Sequence, residues 1–276
     1  MRFAAILLFG GVFLFSCQKE VHFANTANGN GINSGSLLTK IVSRSGSDSS
    51  TLLFGYNSSN MLVTLDAITV SSGTTSIQQE RVERNAQGMI ERLIIKDDQY
   101  QQAGLDSVIT TIGYTSGRYV SKVTTIDLSL AVVRDSVSLV YDGNGKVVTE
   151  RTFDDVAAGV YSETSKTDYT YAGNNIATIN YYSYDASNSS YSLLQSYTYD
   201  AYDDKVSPMS LGNEAFVFDS PAMFSANNPT QSAVVLSSSS QTYVTSYTYN
   251  SANRPLTATS TIQPGNSVTT ATYYYQ

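Results

Sequence analysis

Polar and apolar residues alternate along most of the chain with a period of two. Residues 137–141 (VSLVY), 197–199 (YTY) and 247–249 (YTY) show the alternation clearly. Successive side chains of a β-strand point to opposite faces, so this pattern is typical of strands with one buried face. The abundance of Tyr, Thr, Ser and Val agrees with it, because β-branched and aromatic side chains suit a pleated, half-buried surface.

A short phrase recurs between these strands: an aromatic residue, turn residues such as Asn, Asp and Gly, and then an aliphatic residue. Clear copies begin at Tyr56, Tyr114, Tyr141, Tyr171 and Tyr249, and poorer copies at Arg84 and Tyr199. From Tyr56 to Tyr199 the spacings are 28, 30, 27, 30 and 28 residues. The central residues accept the positive φ angles of tight hairpin turns.

The repeat predicts roughly seven hairpin units and about fourteen strands in one all-β, antiparallel meander. A flat sheet of that size would expose two long edges, so we expect a curled sheet or a partly open barrel. Residues 78–96 are the best helix formers in the chain. The repeat nevertheless puts a turn at residues 85–88, so we predict two strands here as well.

The N-terminus has the layout of an exported lipoprotein. Arg2 precedes an apolar run of about twelve residues, shorter than the roughly twenty that a membrane-spanning helix needs. Residues 14–17 (LFSC) resemble a lipobox, in which the cysteine is acylated and becomes the new N-terminus. We therefore predict a signal peptide over 1–16, lipidation of Cys17 with a flexible tether over 17–36, and a repetitive β domain over 37–276.

Composition excludes several classes of function. Without residues 1–16 the chain has 15 basic and 23 acidic residues, because Arg2 is the one charged residue removed. Such a surface has no basic stripe for a nucleic-acid backbone, so we expect no nucleic-acid partner. Cys17 is the only cysteine and His22, in the tether, the only histidine. A Ser/His/Asp triad, a Cys/His pair and a histidine-ligated zinc site are thus excluded, and no cofactor is expected.

Carboxylates leave two possibilities open. The pairs at 97–98, 154–155 and 203–204, which we place in loops, could supply the two carboxylates of a glycosidase. Asp142 and Asn144 begin like a calcium-binding loop, but Lys146 takes the next ligand position, so a plain hairpin turn is the better interpretation.

The spacing of the repeat jumps to 50 residues between Tyr199 and Tyr249. Long insertions in compact arrays are often functional, so residues 203–230 form the candidate site, with a structural cap on the sheet as the alternative. The candidate binding residues are Asp203, Asp204, Lys205, Pro208, Asn227 and Asn228.

The tyrosine phrases resemble YD repeats of the RHS type, and the layout is similar to uncharacterised lipoproteins of Bacteroidota that carry such hairpin arrays. The resemblance covers most of residues 37–276. It implies an architecture and a location at the outer membrane, on its periplasmic or cell-surface face, and it implies no activity.

We therefore expect a non-enzymatic envelope lipoprotein that binds a protein or glycan partner and is held to the membrane through Cys17. One alternative is a carrier of lipid or a small amphiphile, which requires an open, apolar concave face. A less favoured alternative is a glycoside hydrolase, which requires two carboxylates facing each other in one cleft.

Overall fold

The computed structural model of the protein describes residues 37–128, 131–157, 160–236 and 239–276. The predicted signal peptide, Cys17, the predicted tether and His22 lie outside the described residues. Sixteen antiparallel strands follow each other in one meander, and the first pairs with the last to close a barrel. The all-β meander is confirmed, and the sheet closes completely.

The strands alternate in direction around the barrel in chain order. Their bounds are β1 Leu38–Ser45, β2 Asp48–Tyr56, β3 Leu62–Ser71, β4 Thr74–Arg84, β5 Ile90–Asp97, β6 Val108–Thr115, β7 Arg118–Leu128, β8 Ala131–Tyr141, β9 Val147–Ala157, β10 Val160–Ala172, β11 Asn175–Asp185, β12 Ser190–Val206, β13 Asn227–Leu236, β14 Ser239–Tyr249, β15 Pro255–Gln263 and β16 Ser267–Tyr275. A short helix, α1 (Asp98–Gln102), precedes β6, and two 3₁₀ turns, Gly212–Phe216 and Pro221–Phe224, lie between β12 and β13.

The count of sixteen exceeds the predicted fourteen for a simple reason. The seven turn phrases connect β2 through β15, whereas β1 and β16 lie outside the first and last phrases and pair with each other. The helix-forming segment 78–96 is divided between β4 and β5, as predicted. The turn predicted at 199–206 is wrong, because β12 continues to Val206 through three register shifts against β13.

The period-two alternation sorts the side chains into two sets. Ile41, Leu52, Leu65 and Leu93 point into the barrel and are buried. Their strand neighbours point outward, and the cross-strand registers keep each set on one face from strand to strand. We call the enclosed space the lumen and the outward face the outer wall.

The two ends of the barrel differ. The turn phrases, at β2–β3, β4–β5, β6–β7, β8–β9, β10–β11 and β14–β15, all lie at one end together with both ends of the β domain, and we call it the turn end. The opposite end, the loop end, carries α1 and the remaining connections except that between β12 and β13.

Residues 207–226, which connect β12 to β13, fold back into the lumen from the turn end, and we call them the plug. Met209, Val217 and Phe218 are buried against side chains of β1–β7, β15 and β16. Phe216 is 1% exposed and packs against a second cluster on β9, β10 and β11. Apolar contacts thus hold the plug on two sides, and it fills the turn-end half of the lumen.

Six tyrosines near the turn-end termini of the strands form a set of similar hydrogen bonds. Each hydroxyl donates to a backbone carbonyl near the start of a neighbouring strand, at 2.6 to 3.1 Å. The pairs are Tyr56 with Leu38, Tyr141 with Tyr119, Tyr171 with Val147, Tyr202 with Ile176, Tyr247 with Pro229, and Tyr275 with Pro255. Arg84 takes the same place in its unit and donates to the carbonyl of Leu62. At four repeat anchors, Tyr56, Arg84, Tyr141 and Tyr171, the side chain therefore fastens its strand to the preceding strand.

Candidate functional site

A group of charged side chains lies where the innermost tip of the plug meets the wall of the lumen. Lys122 Nζ donates to the carboxylate of Asp219 and to the carbonyl of Phe216, and lies 3.8 Å from Glu150 Oε1. Glu80 approaches from β4, where Gln78 Nε2 donates to its Oε1 at 2.7 Å. We call Glu80, Lys122, Glu150 and Asp219 the floor cluster. It combines three carboxylates with one ammonium group.

Solvent reaches the floor cluster from the loop end. The side chains of Lys122 and Glu150 are only 8% and 13% exposed, whereas that of Asp219 is 61% exposed. Since the plug fills the turn-end half, water reaches Asp219 through the other half of the lumen. The lumen is therefore a cup that opens at the loop end, with the floor cluster at its bottom.

Burial dominates the protonation of this cluster. It raises the pKa of Glu80 to about 7, and the charge of Asp219 adds to the rise. Burial also raises the pKa of Glu150, although Lys122 opposes it. For Lys122, burial lowers the pKa, but Asp219 and Glu150 outweigh it and the net direction is upward. The ammonium group of Lys122 thus stays charged, while Glu80 and Glu150 resist losing their protons.

The pKa of Glu80 predicts a pH-dependent gain in stability for Glu80→Gln. A folded-state pKa of about 7 against an ordinary value of 4.5 means that the folded barrel binds the extra proton between these pH values, so wild-type stability falls as pH rises through them. Glutamine removes this loss. We expect Glu80→Gln to stabilise the protein by up to about 3 kcal/mol at pH 8 and to be neutral at pH 4.

Urea denaturation at the two pH values measures the effect. Glu83→Gln is the matched control, because Glu83 lies on the same strand but on the outer wall, paired with Arg92. An equal effect of Glu80→Gln at pH 4 and pH 8 would contradict the assignment.

A second buried ion pair lies deeper in the plug, toward the turn end. The guanidinium of Arg84 donates to both carboxylate oxygens of Glu214, at 2.6 and 2.9 Å. Tyr119 also donates to Glu214 Oε1, at 3.3 Å. The Arg84 and Glu214 side chains are 7% and 11% exposed, so this pair joins the plug to the barrel wall away from water.

Three of the predicted binding residues meet at the neck of the plug. Asp203 accepts hydrogen bonds from the backbone N–H and the side-chain amide of Asn228, at 3.0 and 2.8 Å, and from the hydroxyl of Tyr249. Asn227 exchanges hydrogen bonds with Asn175. We call Asp203, Asn227 and Asn228, with these partners, the neck clamp, because they fix both ends of the plug to the barrel.

The other three predicted residues, Asp204, Lys205 and Pro208, lie outside the neck clamp. Pro208 is buried at the start of the plug. Asp204 and Lys205 form an ion pair at 2.9 Å, with the Asp204 side chain 84% exposed. The insertion therefore contributes the plug, whose charged residues Glu214 and Asp219 pair with Arg84 and Lys122 of the barrel wall.

The acidic pairs predicted to lie in loops lie elsewhere in the structure. Asp154 and Asp155 lie within β9 and Asp203 and Asp204 within β12, so these pairs are not in loops. Asp142 Oδ1 accepts the backbone N–H groups of Asn144 and Lys146, which makes the predicted hairpin turn. Residues 37–276, wherever described, contain no group of three metal-ligating side chains.

The outer wall carries charged side chains on β1, β4, β5 and β8 to β10, and exposed valines on β8, β13, β14 and β16. Eight basic strand residues point outward by the cross-strand registers: Lys40, Arg44, Arg81, Arg92, Lys96, Arg134, Arg151 and Lys166. Several are paired there, as in Arg151 with Glu163 at 3.0 Å. Among the described residues, no helix is long and apolar enough to cross a membrane.

Comparison with known proteins gives a fold and no family. No protein-family model matches the chain, and no curated protein matches it. A porin-like protein from Bacteroides uniformis has a similar structure, with a TM-score of 0.55 and 11% identity over 87% of this chain and 98% of that chain. A porin-like protein from Bacteroides vulgatus gives a TM-score of 0.53 and 13% identity over 87% and 99% of the two chains.

Proposed function

We propose that this protein is an outer-membrane lipoprotein anchored through Cys17, and that its barrel is a non-enzymatic binding module surrounded by water. In this proposal a polar ligand, such as a glycan or part of a partner protein, enters the lumen at the loop end. The similarity to porin-like Bacteroides proteins supports the location in the envelope.

One observation carries the proposal: the barrel has charges outside and a packed core inside. Membrane-spanning barrels have an apolar outer band, and an Arg or Lys facing lipid at mid-membrane costs about 2–4 kcal/mol. Here Arg81, Arg92 and Arg151 lie in mid-strand on the outer wall, while Ile41, Leu93 and the plug fill the interior. Such a barrel is stable in water and would be costly in lipid.

The side chains that fill and line the lumen favour one of the alternatives for the ligand over the other. A carrier of lipid needs an open apolar cavity, but the apolar half of the lumen is filled by Met209, Phe216, Val217 and Phe218. On β9 to β11 the open half presents polar side chains, as at Thr152, Ser165, Tyr181 and Asp154, whereas Val234 and Ile262 face it from β13 and β15. This lining favours a hydrophilic ligand.

The geometry does not favour hydrolysis. A glycosidase needs space for a sugar between its two carboxyl groups. Glu150 and Asp219 approach each other, but the ammonium group of Lys122 lies between them and contacts both. We therefore retain a binding role without catalysis.

Replacing Cys17 by serine tests the anchor and the aqueous barrel together. We expect wild type to partition into the detergent phase and Cys17→Ser to leave the membrane fraction as a folded barrel, because no other part of the proposed protein contacts lipid. Gln18→Ala is the matched control and should stay with the membrane. Retention of Cys17→Ser after a carbonate wash, or ion conductance by the wild type in planar bilayers, would overturn the proposal.

Native mass spectrometry of the mature protein from its host envelope tests binding in the lumen. Ser165→Trp narrows the open half of the lumen, whereas Ser138→Trp points outward on β8 and serves as the control. A bound mass that Ser138→Trp keeps and Ser165→Trp loses would locate the ligand inside. A mass kept by both would place it on the outer wall.

A further inference from the structure

We infer that the ligand of the lumen is an organic cation with at least two amine groups, bound end to end between the floor cluster and the loop end. This inference rests on the proposed function and names the chemical class that the lumen selects.

The basic residues of the strands lie almost entirely on the outer face of the barrel. The eight basic strand residues given above all point outward, and Lys122 is the single basic residue that the described part of the chain places in the open half of the lumen. Besides Asp97, which ends β5, five carboxylates share that space: Glu80, Asp135, Glu150, Asp154 and Asp219. A cleft with one sign of charge and low-dielectric walls concentrates its field and attracts the opposite charge.

The carboxylates lie in two tiers. Glu80, Glu150 and Asp219 form the floor, and Asp135 and Asp154 are directly opposite each other on β8 and β9, nearer the loop end. Asp154 follows Glu150 by four residues on the same strand and points to the same side. At about 3.3 Å per residue, the tiers are about 13 Å apart along the strand. A ligand with amine groups about 10 Å apart can contact both tiers at once.

The floor cluster has three carboxyl groups and a single basic group. Lys122 offsets one of three carboxylates, and it is shared between Asp219 and Glu150. Glu80 Oε2 is a buried oxygen for which no hydrogen-bond partner is present. A buried carboxylate oxygen without a donor is costly, so a bound ammonium group would supply what is missing.

The upper tier lacks balance in the same way. Burial raises the pKa of Asp135, and the charge of Asp154 adds to the rise. A cation at either tier would lower the raised pKa values of these carboxyl groups and release the protons that they otherwise hold. Binding should therefore be accompanied by proton release near neutral pH, which a neutral ligand would not cause.

The same geometry disfavours the other charged ligands. An anion would meet five carboxylates, and the described residues include no cluster of three metal ligands that would bind a compact divalent ion. Two tiers separated by about 13 Å match an extended cation better than a point charge.

Isothermal titration of the mature lipoprotein in detergent, with spermidine as the probe, tests the inference. We expect spermidine to bind at least about tenfold tighter than butylamine, which has one amine. The observed heat should change between buffers of different ionisation enthalpy, because protons are released. Asp154→Asn should weaken spermidine binding about tenfold, since it removes one charge from the exposed upper tier.

Asp168→Asn is the matched control, because Asp168 faces outward on β10 and pairs with Lys166 at 2.6 Å. It should leave spermidine affinity unchanged. Equal affinity for spermidine and butylamine, an equal loss in both variants, or preference for calcium chloride would overturn the inference. These outcomes leave the proposed function intact so long as Cys17→Ser is released from the membrane and the protein does not conduct ions.

Discussion

Replacing Arg84 by methionine is expected to reduce the free energy of unfolding by about 3–5 kcal/mol. Breaking a buried ion pair leaves an uncompensated charge in the interior, and this penalty exceeds the loss of the attraction itself. Arg84 also donates to the carbonyls of Gly88 and Leu62, at 2.7 and 3.0 Å, so two backbone acceptors lose a donor as well. Glu214 would retain only the long hydrogen bond from Tyr119.

Urea denaturation with Arg92→Met as the control measures this difference. Arg92 pairs with Glu83 at a similar distance, 2.9 Å, but both side chains are more than 40% exposed. Exposed pairs contribute about 0–1 kcal/mol, so the control should be nearly neutral. The double variant Arg84→Met/Glu214→Leu should recover part of the loss, because it removes the stranded carboxylate. Equal effects of Arg84→Met and Arg92→Met would show that the pair does not hold the plug.

The strands could be predicted because the information is local. Alternation within 137–141 or 197–199 and turn residues at regular spacing determine strand, turn and meander without knowledge of distant contacts. The closure of the barrel could not be predicted in the same way. It depends on whether Leu38 and Tyr275, at opposite ends of the domain, meet in register, and this follows from the accumulated twist and stagger of all sixteen strands.

The floor cluster was missed because its members are far apart in sequence. Lys122 and Asp219 are 97 residues apart. The second buried ion pair was missed for the same reason, since Arg84 and Glu214 are 130 residues apart. One signal was present in the strands: Glu80, Lys122 and Glu150 occupy positions that the alternation assigns to the buried face. A charged residue at an inward-facing position of a strand indicates either a buried partner or a polar lumen. In this barrel both are present.

The candidate loop shows the opposite case, in which the sequence pointed to the right residues and to a different role. Asp203, Asn227 and Asn228 do converge, but they hydrogen-bond to one another and to the barrel within the neck clamp. Among the described residues, the buried Asn228 Oδ1 has no hydrogen-bond partner. Polar residues of an insertion look the same in sequence whether they await a ligand or fasten the insertion. Only their partners, such as Asn175 and Tyr249, distinguish the two.

Asp203→Ala is therefore expected to destabilise the protein by at least about 3 kcal/mol, whereas Asp204→Ala, the next residue along β12, should change stability by less than about 1 kcal/mol. The carboxylate of Asp203 accepts from Asn228 twice, from the N–H of Lys205 and from Tyr249, and charge-assisted hydrogen bonds contribute about 1.5–3 kcal/mol each, although not additively. Asn228 is fully buried, so its amide would be left without an acceptor. Asp204 is exposed and pairs only with Lys205.

Chemical denaturation of both variants, combined with hydrogen exchange of the plug amides, measures where the stability is lost. If the neck clamp holds the plug, Asp203→Ala should speed exchange in residues 207–226 before the barrel strands β1–β6 are affected, because the plug can loosen at its two ends while the strand ladders stay paired. Uniform acceleration over plug and strands would mean instead that plug and barrel unfold as one unit. No effect on either would show that these residues are available for a ligand, as their sequence first indicated.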